Sequence, residues 1–214
     1  MKKVALIFLV LLVVAGLVRT VYVRGVLTQG DNVVISIRDQ SITVDSNLSH
    51  QKLLNSFGKD YVKRTSIPLA EGSYQQGSIV FPDTPNELEV IWSQEKGQLQ
   101  RPKKIIIDED SSDWRINDNL RIGMTLDELE IVNGRSFTFA GFGWDYGGRS
   151  ISWEDGNISE EIKVGLTITD NQDLEGIMGD DVQLTSGDSK VDQLDLKVTE
   201  ILILPSYRTK QYFK

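Results

Sequence analysis

The chain has 214 residues, 40% apolar and 25% charged, a balance that belongs to a globular protein and excludes a disordered one. Its formal charge of −8 becomes −11 once Lys2, Lys3 and Arg19 near the start are set aside, so the body repels phosphates and anionic headgroups and nucleic acid is excluded as a partner. There is no cysteine, which removes disulfides, a thiol nucleophile, thiolate-bound zinc and a lipid carried on a cysteine.

The first segment, MKKVALIFLVLLVVAGLVRT, places Lys2 and Lys3 ahead of an unbroken apolar run from Val4 to Val18, closed by Arg19. This is the order of an export signal, a basic n-region followed by an apolar h-region. As a helix the run rises about 22 Å, short of a hydrocarbon core of roughly 30 Å. Thr20 to Val23 extend it, with Arg19 snorkelling toward the interface. Ala15 and Gly16 lead into Leu17 and Val18 instead of a small-residue cleavage end, which favours a retained transmembrane anchor over removal. Residues 1–23 are therefore expected to be a signal peptide or N-terminal membrane anchor. The lysines stay inside and the rest lies on the periplasmic or extracytoplasmic face, held at the inner membrane through this segment only. The competing reading is an N-terminal helix buried in a soluble core.

Beyond it, residues 24–45 are expected to form a hairpin, with strands at Val33 to Ile37 and Ser41 to Val44 around the turn Arg38-Asp39-Gln40. Ser49 is placed to cap a helix carrying Leu53, Leu54 and Phe57, and Gly58 to close it in the left-handed conformation. Extended pieces follow at Tyr61 to Ile67, Gly77 to Phe81, Leu88 to Trp92 and Lys103 to Ile107, with Pro68, Gly72, Pro82 and Pro85 as punctuation. After the polar connector Asp108 to Asp113 and the extended Leu120-Arg121-Ile122, Thr125 and Glu128 have the spacing of a capping box. Leu126, Leu129 and Val132 make the apolar stripe of a second short helix, which Asn133-Gly134 ends. Alternation then marks strands at Ser136 to Phe142, Arg149 to Trp153 and Ile162 to Ile168. Asp173 to Gly179 reads as a turn or a one-turn helix, and Val191 to Leu204 as a strand lying inside a sheet.

Two stretches agree in order: SHQKLLNSFGK answers TLDELEIVNGR, and LEVIW answers RSISW. The fold class expected is α+β, a mainly antiparallel sheet with short covering helices and an internally duplicated helix-plus-hairpin unit. Its parts are a first unit at 46–107, a second at 108–168 and a β-rich extension at 169–214.

Arg121 to Glu130 followed by Asn133-Gly134, a glycine, a capping threonine, a short helix and a glycine before a strand, resembles a motif of small outer-membrane-assembly lipoproteins of the SmpA/OmlA type. It also resembles related secreted inhibitor-like proteins of tandem units. The block GRSFTFAGFGWDYGG resembles a stretch in uncharacterised exported proteins of the Bacteroidetes type. The resemblance implies a periplasmic α+β domain that binds other proteins and is not an enzyme.

Chemistry-bearing residues are sparse. His50 is the single histidine, too few for a catalytic zinc site, and a Ser–His–Asp arrangement would need distant partners. Asp145, Glu154 and Asp155 lie near aromatic residues in sequence, as a carbohydrate-active hydrolase would require. Asp108, Asp110, Asp113, Asn117 and Asp118, and separately Asp170, Asp173 and Glu175, are oxygen-rich enough for weak calcium binding, though neither has the EF-hand order. The strongest singular feature is the loop Gly141 to Gly148, four glycines around Phe142, Trp144, Asp145 and Tyr146. Its aromatic side chains either fold back over the sheet or project as contact points.

These residues favour a non-catalytic protein-binding or structural component of the cell envelope, with an envelope protein or a glycan as partner and no cofactor. Trp144, Tyr146, Trp153 and Trp92 are expected to supply apolar contacts, and Arg135 and Arg149 directional polar ones. The alternative is a carbohydrate-binding or carbohydrate-active protein using acidic residues near Trp144.

Overall fold

The computed structural model describes residues 33–93, 98–169 and 176–207. The expected leader at 1–23, the acidic set Asp170, Asp173 and Glu175, and the basic tip Arg208, Lys210 and Lys214 lie outside the described residues. One expectation is corrected: among the described residues no helix is long and apolar enough to cross a membrane. The two α-helices have 8 residues each, against the roughly 20 that a span requires.

The fold is α+β, built of antiparallel sheets with two short covering helices. Strand β1 (Val33–Ile37) turns into β2 (Gln40–Val44) through Arg38 and Asp39, and Ile37 pairs with Gln40. Helix α1 (His50–Phe57) starts where the Ser49 hydroxyl accepts from the Lys52 N–H at 3.3 Å, and it buries Leu53 and Phe57. Gly58 ends it at φ 92, ψ 149, not in the left-handed region expected; its N–H still donates to the Leu54 carbonyl at 2.9 Å. A meander follows: β3 (Val62–Pro68), β4 (Tyr74–Val80), β5 (Leu88–Trp92) and β6 (Pro102–Ile107). Strand β7 (Arg115–Ile116) leaves it to pair with β1.

Helix α2 (Leu126–Asn133) has the anticipated capping box between Thr125 and Glu128, and Gly134 closes it in the left-handed conformation. Then come β8 (Thr138–Ala140), β9 (Ser150–Ser152), β10 (Ile162–Ile168), β11 (Gln183–Thr185) and β12 (Leu196–Ile203). The sheets run β2-β1-β7, β10-β12-β6-β5-β4-β3 and β11-β8-β9. Backbone joins the last two where Arg149 bridges Gly165 and the Leu166 N–H donates to the Gly148 carbonyl at 3.0 Å.

Each helix is thus followed by a run of antiparallel strands, and the last strands of the two runs, β6 and β12, pair inside the large sheet. Ile201 and Ile203 stand opposite Ile107 and Ile105 there, all with no exposure. Continuous apolar sequence at the end of β12 is the signature of this interior position. The tryptophans that made two halves look alike are not equivalent by strand order. Trp92 ends the third strand after α1, whereas Trp153 follows the second after α2.

One apolar cluster runs through the described residues, with aromatic contacts at two places. Phe57 meets Phe81 and Trp114 edge-on at 5.7 and 5.5 Å, and Phe137 lies 5.0 Å from Trp153 and 5.9 Å from Phe139. Such pairs add about 0.5–1.5 kcal/mol each beyond the area they bury.

A candidate binding surface around the glycine-rich aromatic loop

The β8–β9 connection positions the site. Between Ala140 and Arg149 the chain closes on itself: the Ala140 N–H donates to the Arg149 carbonyl at 2.9 Å, and the Gly148 N–H to the Ala140 carbonyl at 3.0 Å. Gly148 has φ +73, and a β-carbon there would lie 2.1 Å from the Leu166 carbonyl oxygen, so the close crossing of loop and β10 needs glycine. The other flank is pinned to the segment before β11. Gly141 N–H donates to the Val182 carbonyl at 2.7 Å, and Phe142 N–H to the Ile177 carbonyl at 2.8 Å. Backbone bonding on both sides makes this a built loop rather than a loose one.

On that frame the aromatic side chains split. Phe142 faces inward, 6.1 Å from Phe139 and 8% exposed. Trp144 and Tyr146 face outward, 37% and 55% exposed, with their rings edge-to-face at 5.4 Å and 77°. The Trp144 indole N–H donates to the Gly141 carbonyl at 2.9 Å, which fixes the ring's direction. Ile151 and Met178 are also exposed, and Met178 lies directly over Gly143. Tyr61, Tyr74, Ile131 and Leu204 are exposed elsewhere, so only here do large exposed apolar side chains gather among the described residues. A shallow depression of about 300 Å³ opens between Trp144, Tyr146, Arg149, Ile151, Asp180 and Asp181. A second, of about 560 Å³, lies on the other side of Trp144, bordered by Asp145 and by Leu166 to Ile168.

Arg149 anchors the platform. Its guanidinium sits 5.2 Å from the Tyr146 ring centroid and donates through Nη2 to Glu200 at 2.6 Å. The arginine reaches Glu200 across Gly165, where a β-carbon would come within 3.1 Å of the Glu200 side chain. Glu200 precedes Ile201 by one residue as Asp108 follows Ile107, and so it stands beside Asp108 on the outward face of the sheet. Burial, and then the nearby Glu200, push the Asp108 carboxyl up from its ordinary range; burial, and then Asp108, do the same to Glu89.

Of the six expected contact residues, the structure brings together Trp144, Tyr146 and Arg149. Trp92 and Trp153 are corrections: they are 1% and 0% exposed and cannot touch a partner. The Trp92 indole donates to the Ser78 hydroxyl at 2.8 Å and that of Trp153 to the Ile162 carbonyl at 2.7 Å, so both are satisfied inside the core. Arg135 does not line the depression; its Nη1 donates to the Glu154 carbonyl at 2.6 Å. Asp180 and Asp181, absent from the sequence reading, arrive because β11 pairs with β8 across about forty residues of chain, a contact with no local sequence signal.

The catalytic alternatives gain no geometry. Glu154 and Asp155 sit in a tight turn with φ 53 and 57 and border neither depression, whereas Asp145 borders the second. His50 Nδ1 lies 2.8 Å from the Ser78 hydroxyl, a Ser–His pair that sequence spacing did not suggest. Ser78, however, is fully buried and already accepts from Trp92, and burial and then Arg64 lower the His50 pKa. The pair holds Trp92 in the core and presents no nucleophile to a substrate. Among the described residues no three His, Cys, Asp or Glu side chains are grouped to hold a metal ion. In the first oxygen-rich set, Asn117 spends its side-chain oxygen on the Val34 N–H at 2.9 Å, and Asp113 binds Asn86. Comparison with protein-family models, curated proteins and solved structures finds no match to this chain.

Proposed function

We propose that this chain is an exported, non-catalytic binding protein of the cell envelope, and that the loop bearing Trp144 and Tyr146 is its contact surface. The observation that carries the reading is the gathering of Trp144, Tyr146, Ile151 and Met178 in one place, exposed yet held by backbone hydrogen bonds and the Arg149–Glu200 pair. Exposed aromatic anchors with a fixed direction lose little entropy on binding, which is why such residues dominate interface energetics. Export rests on the n-region and h-region of residues 1–23, and the leaning toward a protein partner on the envelope-type motif around Thr125.

The test is a photo-crosslinking amino acid at Tyr146 in cells, with the same probe at exposed Glu71 as control. One discrete adduct from position 146 that is missing from position 71, and lost on Trp144→Ala, is expected. Identical adduct patterns from the two positions would contradict the assignment of this surface.

A further inference from the structure

Resting on that reading, we infer that the surface takes a basic segment of a partner protein, in which lysine or arginine side chains alternate with apolar ones. The argument is charge complementarity around a wet aromatic centre. Asp145, Asp180 and Asp181 are all exposed and border the two depressions beside Trp144. Two cations that reach the patch are already engaged: Arg149 with Glu200 at 2.6 Å, and Lys163 with Glu160 at 2.6 Å and the Ile151 carbonyl at 2.8 Å. Among the described residues the two depressions are bordered by three exposed carboxylates, while Lys190 stands near Gly176 and Lys197 opposite Thr167 at their margin, on a chain whose formal charge is −8.

A lysine or arginine fits this arrangement with both of its parts. Its methylene stem lies along the Trp144 ring, its charged head reaches the carboxylates, and the open ring face adds cation–π attraction. One face of Tyr146 already serves Arg149 in this way, which shows that the geometry suits a guanidinium. An acidic segment would meet like charge. A sugar prefers a flat aromatic platform, and the two rings here stand at 77° to each other, so they do not form a single stacking plane.

The test uses isothermal titration calorimetry of the full chain with three probes: a short lysine–leucine peptide, its glutamate–leucine counterpart and a chito-oligosaccharide. Wild type should bind the lysine–leucine peptide, more weakly as salt rises, and neither of the others. Replacing Asp145, Asp180 and Asp181 together by asparagine should weaken that binding roughly three- to hundredfold, the range for three exposed charge pairs. Trp144→Ala, which keeps every charge, should weaken it as well, and so separates docking from nonspecific attraction. Trp144→Ala losing affinity while the triple asparagine variant keeps it overturns the basic-partner inference and leaves the aromatic surface standing. Unchanged affinity in Trp144→Ala removes the surface itself. Binding of the glutamate peptide or the oligosaccharide as tight as that of the lysine peptide, or no binding of the lysine peptide, also overturns the inference.

Discussion

Replacing Trp153 and Trp144 by alanine, one at a time, separates core from contact surface because the two rings are held so differently. Trp153 has no exposure, lies 5.0 Å from the Phe137 ring and gives its indole N–H to the Ile162 carbonyl at 2.7 Å. Its removal opens a cavity worth about 3–5 kcal/mol. It also strands the Ile162 carbonyl, whose loss of a partner costs about 1–3 kcal/mol. The two effects overlap, so a loss of about 4–6 kcal/mol is expected, comparable to the whole stability of many domains. Trp144 is 37% exposed, and its ring makes one hydrogen bond, to Gly141, and one edge contact, with Tyr146. Its removal should cost about 1–2 kcal/mol, since water replaces much of what is lost. Urea unfolding followed by far-ultraviolet circular dichroism reads both as midpoint shifts at constant slope. Equal losses for the two variants, or a larger one for Trp144→Ala, would refute the assignment of Trp153 to the core and Trp144 to the surface.

Two further outcomes follow from the same geometry. Burial first, and neighbouring carboxylates next, raise the pKa of Glu89 and of Asp108, so the folded state holds those protons more tightly than the unfolded chain. Their contribution to stability is full at acid pH and is lost as the pH rises from the ordinary carboxylate range through the raised folded values. Asp108→Asn should therefore stabilise the protein at neutral pH, with the gain shrinking toward acid; urea midpoints across a pH series check it, and a gain that grows toward acid would contradict the sign. Gly148→Ala, at φ +73 with its new carbon 2.1 Å from the Leu166 carbonyl oxygen, should push the loop off β10. Faster hydrogen exchange at the Leu166 amide is expected, and an unchanged rate would show that the crossing does not need glycine.

Much of the fold was legible wherever local pattern decides it. Val33 to Ile37, Leu88 to Trp92 and Ile162 to Ile168 are strands with the bounds that alternation and flanking turns indicate. Both helices start at the hydroxyl caps, because capping is a contact between residues three apart. The short β7 and β11 leave no local signature, since two or three residues carry no period and each owes its existence to a distant partner. The site was legible in part for the same reason. Four glycines around three aromatic residues announce a special loop, but which rings face out depends on what lies beneath. Trp153 looked like Trp144 in sequence, yet the end of β9 turns it onto Phe137, and the Ile162 carbonyl waits there for its N–H.

The central claim is that one aromatic platform, with Trp144 at its centre, faces solvent. Trp144 is the only one of the chain's 4 tryptophans more than 1% exposed, so acrylamide quenching of selectively excited tryptophan fluorescence reports on it alone. The wild-type protein should show one quenchable component over a background that acrylamide does not reach, and Trp144→Phe should remove that component. A quenching curve left unchanged by Trp144→Phe would contradict the account.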